Sequence, residues 1–253
     1  MGSHDLTDRR VVISGGASGM GAALVRGFTA AGAKVVSLDI TASEGERIAA
    51  EAGATFVRCD VTDKESVDQA FAESANSLGG LDVLIHAAGV APGAPAESTS
   101  VEMWERTMAV NATGTFLTNQ AALELMREGG GRIINFASAA GAKGLPGKAA
   151  YAASKGAVLA WTRTIAVEWA QFGITANSVA PAIWTPMYEK TRASMTDEQL
   201  AEHDRKLSSQ IPLGGKLGNV DDLVPVLEFL ASEGSRFMTG QIFAVDGGSL
   251  MVR

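Results

Sequence analysis

Near its start the chain runs from a short apolar stretch of strand length, residues 10–14, straight into a glycine-rich segment, residues 14–21, and then into an alanine-rich stretch, 22–31, with helical character. Glycine lets the backbone take turns and close approaches that a Cβ forbids. Set between a strand and a helix, such a turn aims backbone N–H groups and the positive helix N-terminus at one point, where a pyrophosphate can sit. The cradle is formed by Gly15, Ser18, Gly19, Met20 and Gly21.

The alternation continues to the end of the chain. Apolar segments at 34–39, 55–59, 81–87, 131–138, 174–180 and 240–246 read as further strands, separated by helical stretches at 43–52, 63–78, 100–127, 149–172 and 219–232. Within 63–78, Val67, Ala70, Phe71 and Ser74 recur at helical spacing. Strands and helices in strict alternation imply right-handed crossovers and a parallel sheet covered on both faces. The expected fold is α/β, a single doubly wound Rossmann-type domain of about seven parallel strands spanning 5–253. Residues 139–148 read as a loop, and a polar stretch at 186–218 as a movable substrate lid. Met1 to His4 resemble an expression remnant and are set aside.

Composition narrows the function. A net charge of −7 without long blocks of one sign gives no sign of a nucleic-acid partner or of a membrane surface. No apolar run is long enough to cross a bilayer, so a soluble, cytoplasmic protein is expected. Cys59 is the only cysteine, which excludes an internal disulfide and a thiolate metal cluster and predicts a buried, inert thiol. No metal site is expected.

The candidate chemistry centres on Tyr151 and Lys155, four residues apart, with Ser138 thirteen residues before the tyrosine. On a helix the two lie on one face, so the ammonium falls beside the phenol and lowers its pKa, making an acid/base group useful near neutrality. Ser138 ends an apolar strand, at the sheet edge where ligands bind in open α/β folds. Asp39 ends the second strand about 20 residues beyond the glycine turn, where a carboxylate can accept from ribose hydroxyls and repel a 2′-phosphate. Asn111 and nearby Gly114 interrupt an otherwise apolar helix at a cost in propensity, so something other than helix stability keeps them there.

Taken together, the glycine turn, Asp39, Ser138 and the Tyr151/Lys155 pair resemble the short-chain dehydrogenase/reductase family over essentially the whole chain. Gly15, Gly19 and Gly21 match the family's Thr-Gly-x-x-x-Gly-x-Gly turn, with Ser14 in place of Thr. The resemblance implies that Asn111, Ser138, Tyr151 and Lys155 are the catalytic set: Lys155 also binds the nicotinamide ribose, and Asn111 holds a water for proton relay. It implies cofactor contacts from Asp39 and Ile40, from Asp60 and Val61 beside the adenine, and from Ala87, Ala88 and Gly89. His86 stands where the family usually has Asn, and is read as a strand-bridging hydrogen-bond partner. After Pro181 the family has Gly and then a Thr five residues on; here Ala182 follows and Thr185 comes four residues on, so the loop that brings Pro181, Ile183 and Thr185 to the nicotinamide is one residue shorter.

The implied reaction is reversible hydride transfer between NAD and a secondary alcohol or its ketone. One alternative is an NADPH-dependent ketone reductase of the 3-oxoacyl type, for which Arg47 is the nearest following basic residue to Asp39; another is a non-catalytic dinucleotide-binding protein. Ala140, Leu145, Lys148, Trp184, Met187 and Tyr188 are the expected substrate contacts, and being mainly apolar they point to an uncharged, moderately bulky cyclic or aryl-alkyl alcohol. The apolar helix at 151–172 and the apolar C-terminal stretch lead us to expect a homotetramer.

Overall fold

The computed structural model describes residues 5–251, apart from the side chain of Met187. Its seven strands are β1 (Arg10–Ser14), β2 (Lys34–Asp39), β3 (Thr55–Arg58), β4 (Val83–His86), β5 (Gly131–Phe136), β6 (Ile174–Pro181) and β7 (Ile242–Val245). All pair in parallel, in the order β3-β2-β1-β4-β5-β6-β7. The chain builds outward from β1 to β3, then crosses back to lay β4 on the other side of β1. That reversal opens a crevice beyond the C-terminal ends of β1 and β4.

The strands are continuous runs of Val, Ile and Leu because both faces are covered. Val11, Val12 and Ile13 are all at most 1% exposed, and Val83, Leu84 and Ile85 are fully buried. Successive residues serve opposite faces. Val12, Leu84 and Ile133 pack with Phe71, Met126 and Ile165 from α3 (Lys64–Leu78), α5 (Gly114–Met126) and α7 (Ala149–Glu168). On the other face Val11, Ile13 and Ile85 meet Leu24, Phe28 and Leu227 from α1 (Gly19–Ala30) and α10 (Val220–Ala231). The helix α2 (Ala42–Ala52) adds Ile48 to that second core. Asp63 caps α3 by accepting from the N–H of Glu65, and Asn219 opens α10 with a capping box.

Two expectations need correction. The single helix expected over 100–127 is broken into α4 (Val101–Met108), a π-helical turn (Ala109–Thr113) and α5, with Asn111 in the π turn. The hydrogen bonds of the Asn111 side chain, described below, reach outside its own helix and account for the widened turn. Residues 139–148 are not all loop: α6 (Ala139–Lys143) begins directly after Ser138, whose Oγ accepts from the N–H of Ala140 at 3.1 Å. The expected lid contains α8 (Pro186–Ala193) and α9 (Asp197–Gln210). Among the described residues no helix is long and apolar enough to cross a membrane. Burial pushes the Cys59 thiol up to about 11, which suits an inert side chain.

Candidate active site

The glycine turn folds against the segment that follows β4. Gly15 has φ +75°, and a Cβ there would lie 2.7 Å from the Ala88 nitrogen; a Cβ on Gly21 would lie 2.1 Å from the Gly15 carbonyl oxygen. Gly19, at φ +53°, has open space where a side chain would stand. At the N-terminus of α1 the Ser18 side chain makes no capping bond and the first turn holds no acidic residue. Its N–H groups are therefore left to another acceptor, as suits an anion. Met20 packs partly against the core.

Asp39 ties this turn to the end of β2: one carboxylate oxygen accepts from the N–H of Ala17 at 3.0 Å and the other from Thr41 at 2.9 Å. A carboxylate has about four acceptor positions, so two remain free for a ligand. Ile40, beside it, is exposed. Asp60 accepts from the N–H and hydroxyl of Thr62 at 2.9 and 2.7 Å. Val61 is buried in the core against Gly114, where a Cβ would come within 2.9 Å of it, so only its backbone is left to meet a ligand. Ala87 and Ala88 are half-buried and Gly89 is exposed. Together these features fit a dinucleotide: an open glycine cradle at a helix N-terminus, with an acidic group at the next strand end.

The four expected catalytic residues come from three places in the fold: Asn111 from the π turn, Ser138 from the end of β5, and Tyr151 and Lys155 from α7. Ser138 lies just past β5, on the side of the Tyr151 phenol. Burial pushes the Tyr151 pKa up, and the Ser138 hydroxyl partly offsets this. Lys155 does not sit against the phenol oxygen: its Nζ donates to the Phe136 carbonyl at 2.6 Å and lies 5.9 Å from the centre of the Tyr151 ring. Burial lowers Lys155 to about 8. The expected lowering of the tyrosine by its neighbour is therefore not present in this structure, because the lysine is drawn to a main-chain carbonyl on β5.

Asn111 grips the loop after β4, its Oδ1 accepting from the Val90 N–H at 2.8 Å and its Nδ2 donating to the Val90 carbonyl at 2.9 Å. The same Nδ2 donates to Ser154 Oγ on α7 at 2.9 Å, and the main-chain carbonyl accepts from Thr115 Oγ1 at 2.6 Å. A Cβ on Gly89 would stand 3.2 Å from Asn111 Oδ1 and 3.5 Å from Lys155 Nζ. Gly89, Asn111 and Lys155 thus converge, and a side chain at Gly89 would press on the Asn111 amide.

His86 is fully buried and bridges elements, with Nδ1 2.9 Å from both Ser14 Oγ on β1 and Thr118 Oγ1 on α5. Its Nε2 has no partner among the described residues. Desolvation, with a smaller contribution from Lys155, lowers its pKa to about 3, so it is a neutral structural link.

The remaining expected contacts divide. The Ile183 side chain is buried in the core, and its bridge to Gly218 uses the N–H of Trp184 and the carbonyl of Ala182, not its own groups. Thr185 caps α8, its Oγ1 accepting from Tyr188 N–H at 3.2 Å, and Pro181 ends β6 half-buried. Ala140 is buried, while Leu145 and Trp184 are exposed. Lys148 donates to the Ala91 carbonyl at 2.6 Å, so its charge is already engaged. The side chain of Met187 lies outside the described residues. Tyr188 stacks edge-on against Trp184, with centroids 5.0 Å apart, and its hydroxyl lies 2.7 Å from His203 Nε2. Arg192 lies over both rings and pairs with Asp204. Arg192 and His203 were missed from the sequence; only the spacing of Tyr188 and Arg192 on one helix face hinted at the former.

Residues 15–249 match the family model described as enoyl-(acyl carrier protein) reductase. The inactive 2-(S)-hydroxypropyl-CoM dehydrogenase 2 of Xanthobacter autotrophicus is 40% identical over 228 residues, covering 89% of this chain and 98% of that protein. The trans-4-hydroxycyclohexanecarboxylate dehydrogenase of Sinomonas cyclohexanicum is 37% identical over 258 residues, covering 97% and 94%. Among solved structures, a Sinorhizobium meliloti 1021 protein provisionally named a short-chain alcohol dehydrogenase superposes with a TM-score of 0.89 at 29% identity, covering 98% of each chain.

Proposed function

The chain belongs to the short-chain dehydrogenase/reductase family, and from that premise we propose that it is an NAD-dependent oxidoreductase interconverting a secondary alcohol and its ketone. The observation that carries the reading is the convergence of Ser138, Tyr151 and Lys155 at the C-terminal edge of the sheet, beside Gly89 and the glycine turn. In the oxidative direction Tyr151 takes the hydroxyl proton as general base, and in the reductive direction it returns that proton as general acid. Ser138 holds the same substrate oxygen, keeping it in line with the phenol. Lys155 supplies positive charge near the phenol ring, and Asn111 keeps the wall formed by Val90 and α7 in place.

NAD, when bound, supplies the hydride acceptor. Gly15, Ser18, Gly19, Met20 and Gly21 would hold its pyrophosphate, and Asp39 with Ile40 its adenosine ribose. Asp60, Ala87, Ala88 and Gly89 would line the adenine side, and Lys155, Pro181 and Thr185 the nicotinamide side. The choice of NAD over NADP is supported by Arg47, which pairs with Glu44 at 2.8 Å and Glu51 at 2.5 Å and so is not left to neutralise a 2′-phosphate. One relative is named as inactive, but here all four groups of the catalytic set are present.

The substrate reading is an uncharged, moderately bulky cyclic or aryl-alkyl alcohol, supported by the exposed Leu145 and Trp184 and by the engagement of Lys148. A panel of secondary alcohols followed by NADH absorbance tests it. Oxidation of cyclic and aryl-alkyl alcohols is expected; turnover of sugars alone would overturn the substrate class. The reading includes a homotetramer, supported by exposed Trp104, Phe116 and Val167 and by the fully exposed Phe237. A monomer in light scattering at micromolar concentration would refute that assembly.

A further inference from the structure

At the N-terminal edge of the sheet, opposite the candidate active site, Arg132 is the second residue of β5, with a side chain only 10% exposed. Its Nη1 donates to the Gly131 carbonyl at 3.1 Å, its Nη2 reaches Glu233 at 3.5 Å, and its Nε is buried without a partner among the described residues. A guanidinium carries five N–H donors, and burying one so little paired is costly. The neighbouring Asp82 gives no relief, because its oxygens are held by the Arg10 side chain at 2.5 and 3.0 Å and by the Arg10 N–H at 2.9 Å. Glu233 is shared, accepting from Arg9 as well, and Arg236 adds a further positive charge beside Glu233 and Arg132. Among the described residues the carboxylates paired with Arg9, Arg10 and Arg132 are Asp82 and Glu233, and Arg236 lies near them, so positive charge is in excess.

The turn that carries Glu233 and Arg236 is prebuilt. Ser232 accepts from the Gly234 N–H at 3.1 Å, Ser235 donates to the Leu230 carbonyl at 2.7 Å, and both serines are fully buried. We propose that Arg9, Arg132 and Arg236 form an oxyanion site around Glu233, taking phosphate or a small phosphate-bearing molecule. A phosphate offers several acceptor oxygens to guanidinium forks, and its charge matches the local excess. The site lies about 20 Å from the cofactor end, the length of a six-residue strand.

The test is thermal unfolding in sodium phosphate against sodium chloride at equal ionic strength, with inorganic phosphate titrated calorimetrically. Phosphate should raise the Tm by about 3–5 °C over chloride. Phosphate in the glycine cradle would also raise it, so the variants decide. Arg236→Gln changes an exposed side chain and should fold, yet lose most of the rise. Glu233→Gln removes the competing carboxylate and should tighten phosphate binding by about tenfold. Absence of a phosphate-specific rise, its full persistence in Arg236→Gln, or an unchanged affinity in Glu233→Gln would each overturn the site.

Discussion

The Lys155 ammonium lies 5.9 Å from the centre of the Tyr151 ring while donating to the Phe136 carbonyl at 2.6 Å. The helix puts both side chains on one face, as their spacing requires, but the lysine is held by β5 and not by the phenol. Burial then moves the two pKa values apart, Tyr151 up and Lys155 down to about 8. The Ser138 hydroxyl partly offsets the rise at the tyrosine.

Tyr151→Phe should lower turnover by about a thousandfold while leaving NADH binding nearly intact, since the ring still packs but exchanges no proton. Steady-state rates and a fluorescence titration of NADH check both halves. Activity within about tenfold of wild type would remove Tyr151 from its role.

Lys155 keeps its charge below a pH of about 8 and loses it as the pH rises through that value. If that charge contributes to cofactor binding, Lys155→Met should weaken NADH by about tenfold at pH 7, and the wild-type dissociation constant should climb toward the mutant value above pH 8. A mutant that binds NADH as tightly as wild type would show that the Lys155 charge does not hold the cofactor.

Asp39 presents a carboxylate to the place where the adenosine ribose is proposed to lie, so a 2′-phosphate would meet a like charge at short range. Such repulsion costs on the order of several kcal/mol, and each 1.4 kcal/mol is a factor of ten. A preference for NAD of at least about a hundredfold in kcat/KM is expected, narrowing in Asp39→Ala. Equal efficiency of wild type with NADP would overturn this and direct attention to Arg47.

His86 makes stability fall in acid. Its pKa drops from the ordinary 6.5 to about 3 on folding, so between those values the unfolded state binds the extra proton. The stability it contributes is complete above pH 6.5 and declines as the pH falls toward 3; by pH 4 about 3 kcal/mol should be gone. Denaturant unfolding at pH 7 and pH 4 should show this loss, and His86→Asn should be less stable at pH 7 but flatter between the two. An equal slope in both proteins would show that other groups set the acid limit.

The alternation of strands and helices, the seven-stranded parallel sheet, the glycine turn and the placement of Asp39 at the end of β2 were all legible in the sequence. Each follows from short-range rules: apolar runs mark strands covered on two faces, helical spacing marks helix faces, and glycine marks turns that exclude a Cβ. The spacing of Tyr151 and Lys155 put them on one helix face in the same way. What that spacing could not show was that Lys155 would be taken by Phe136, that Val61 and Ile183 would turn their side chains into the core, or that Asn111 would widen its helix to hold Val90 and Ser154. Nor could it show that Arg9 and Arg132 would meet at Glu233, drawn from segments about a hundred or more residues apart. Only the tertiary structure decided these, because a side-chain hydrogen bond or ion pair depends on which distant segments the sheet order brings side by side, and local pattern carries no record of that.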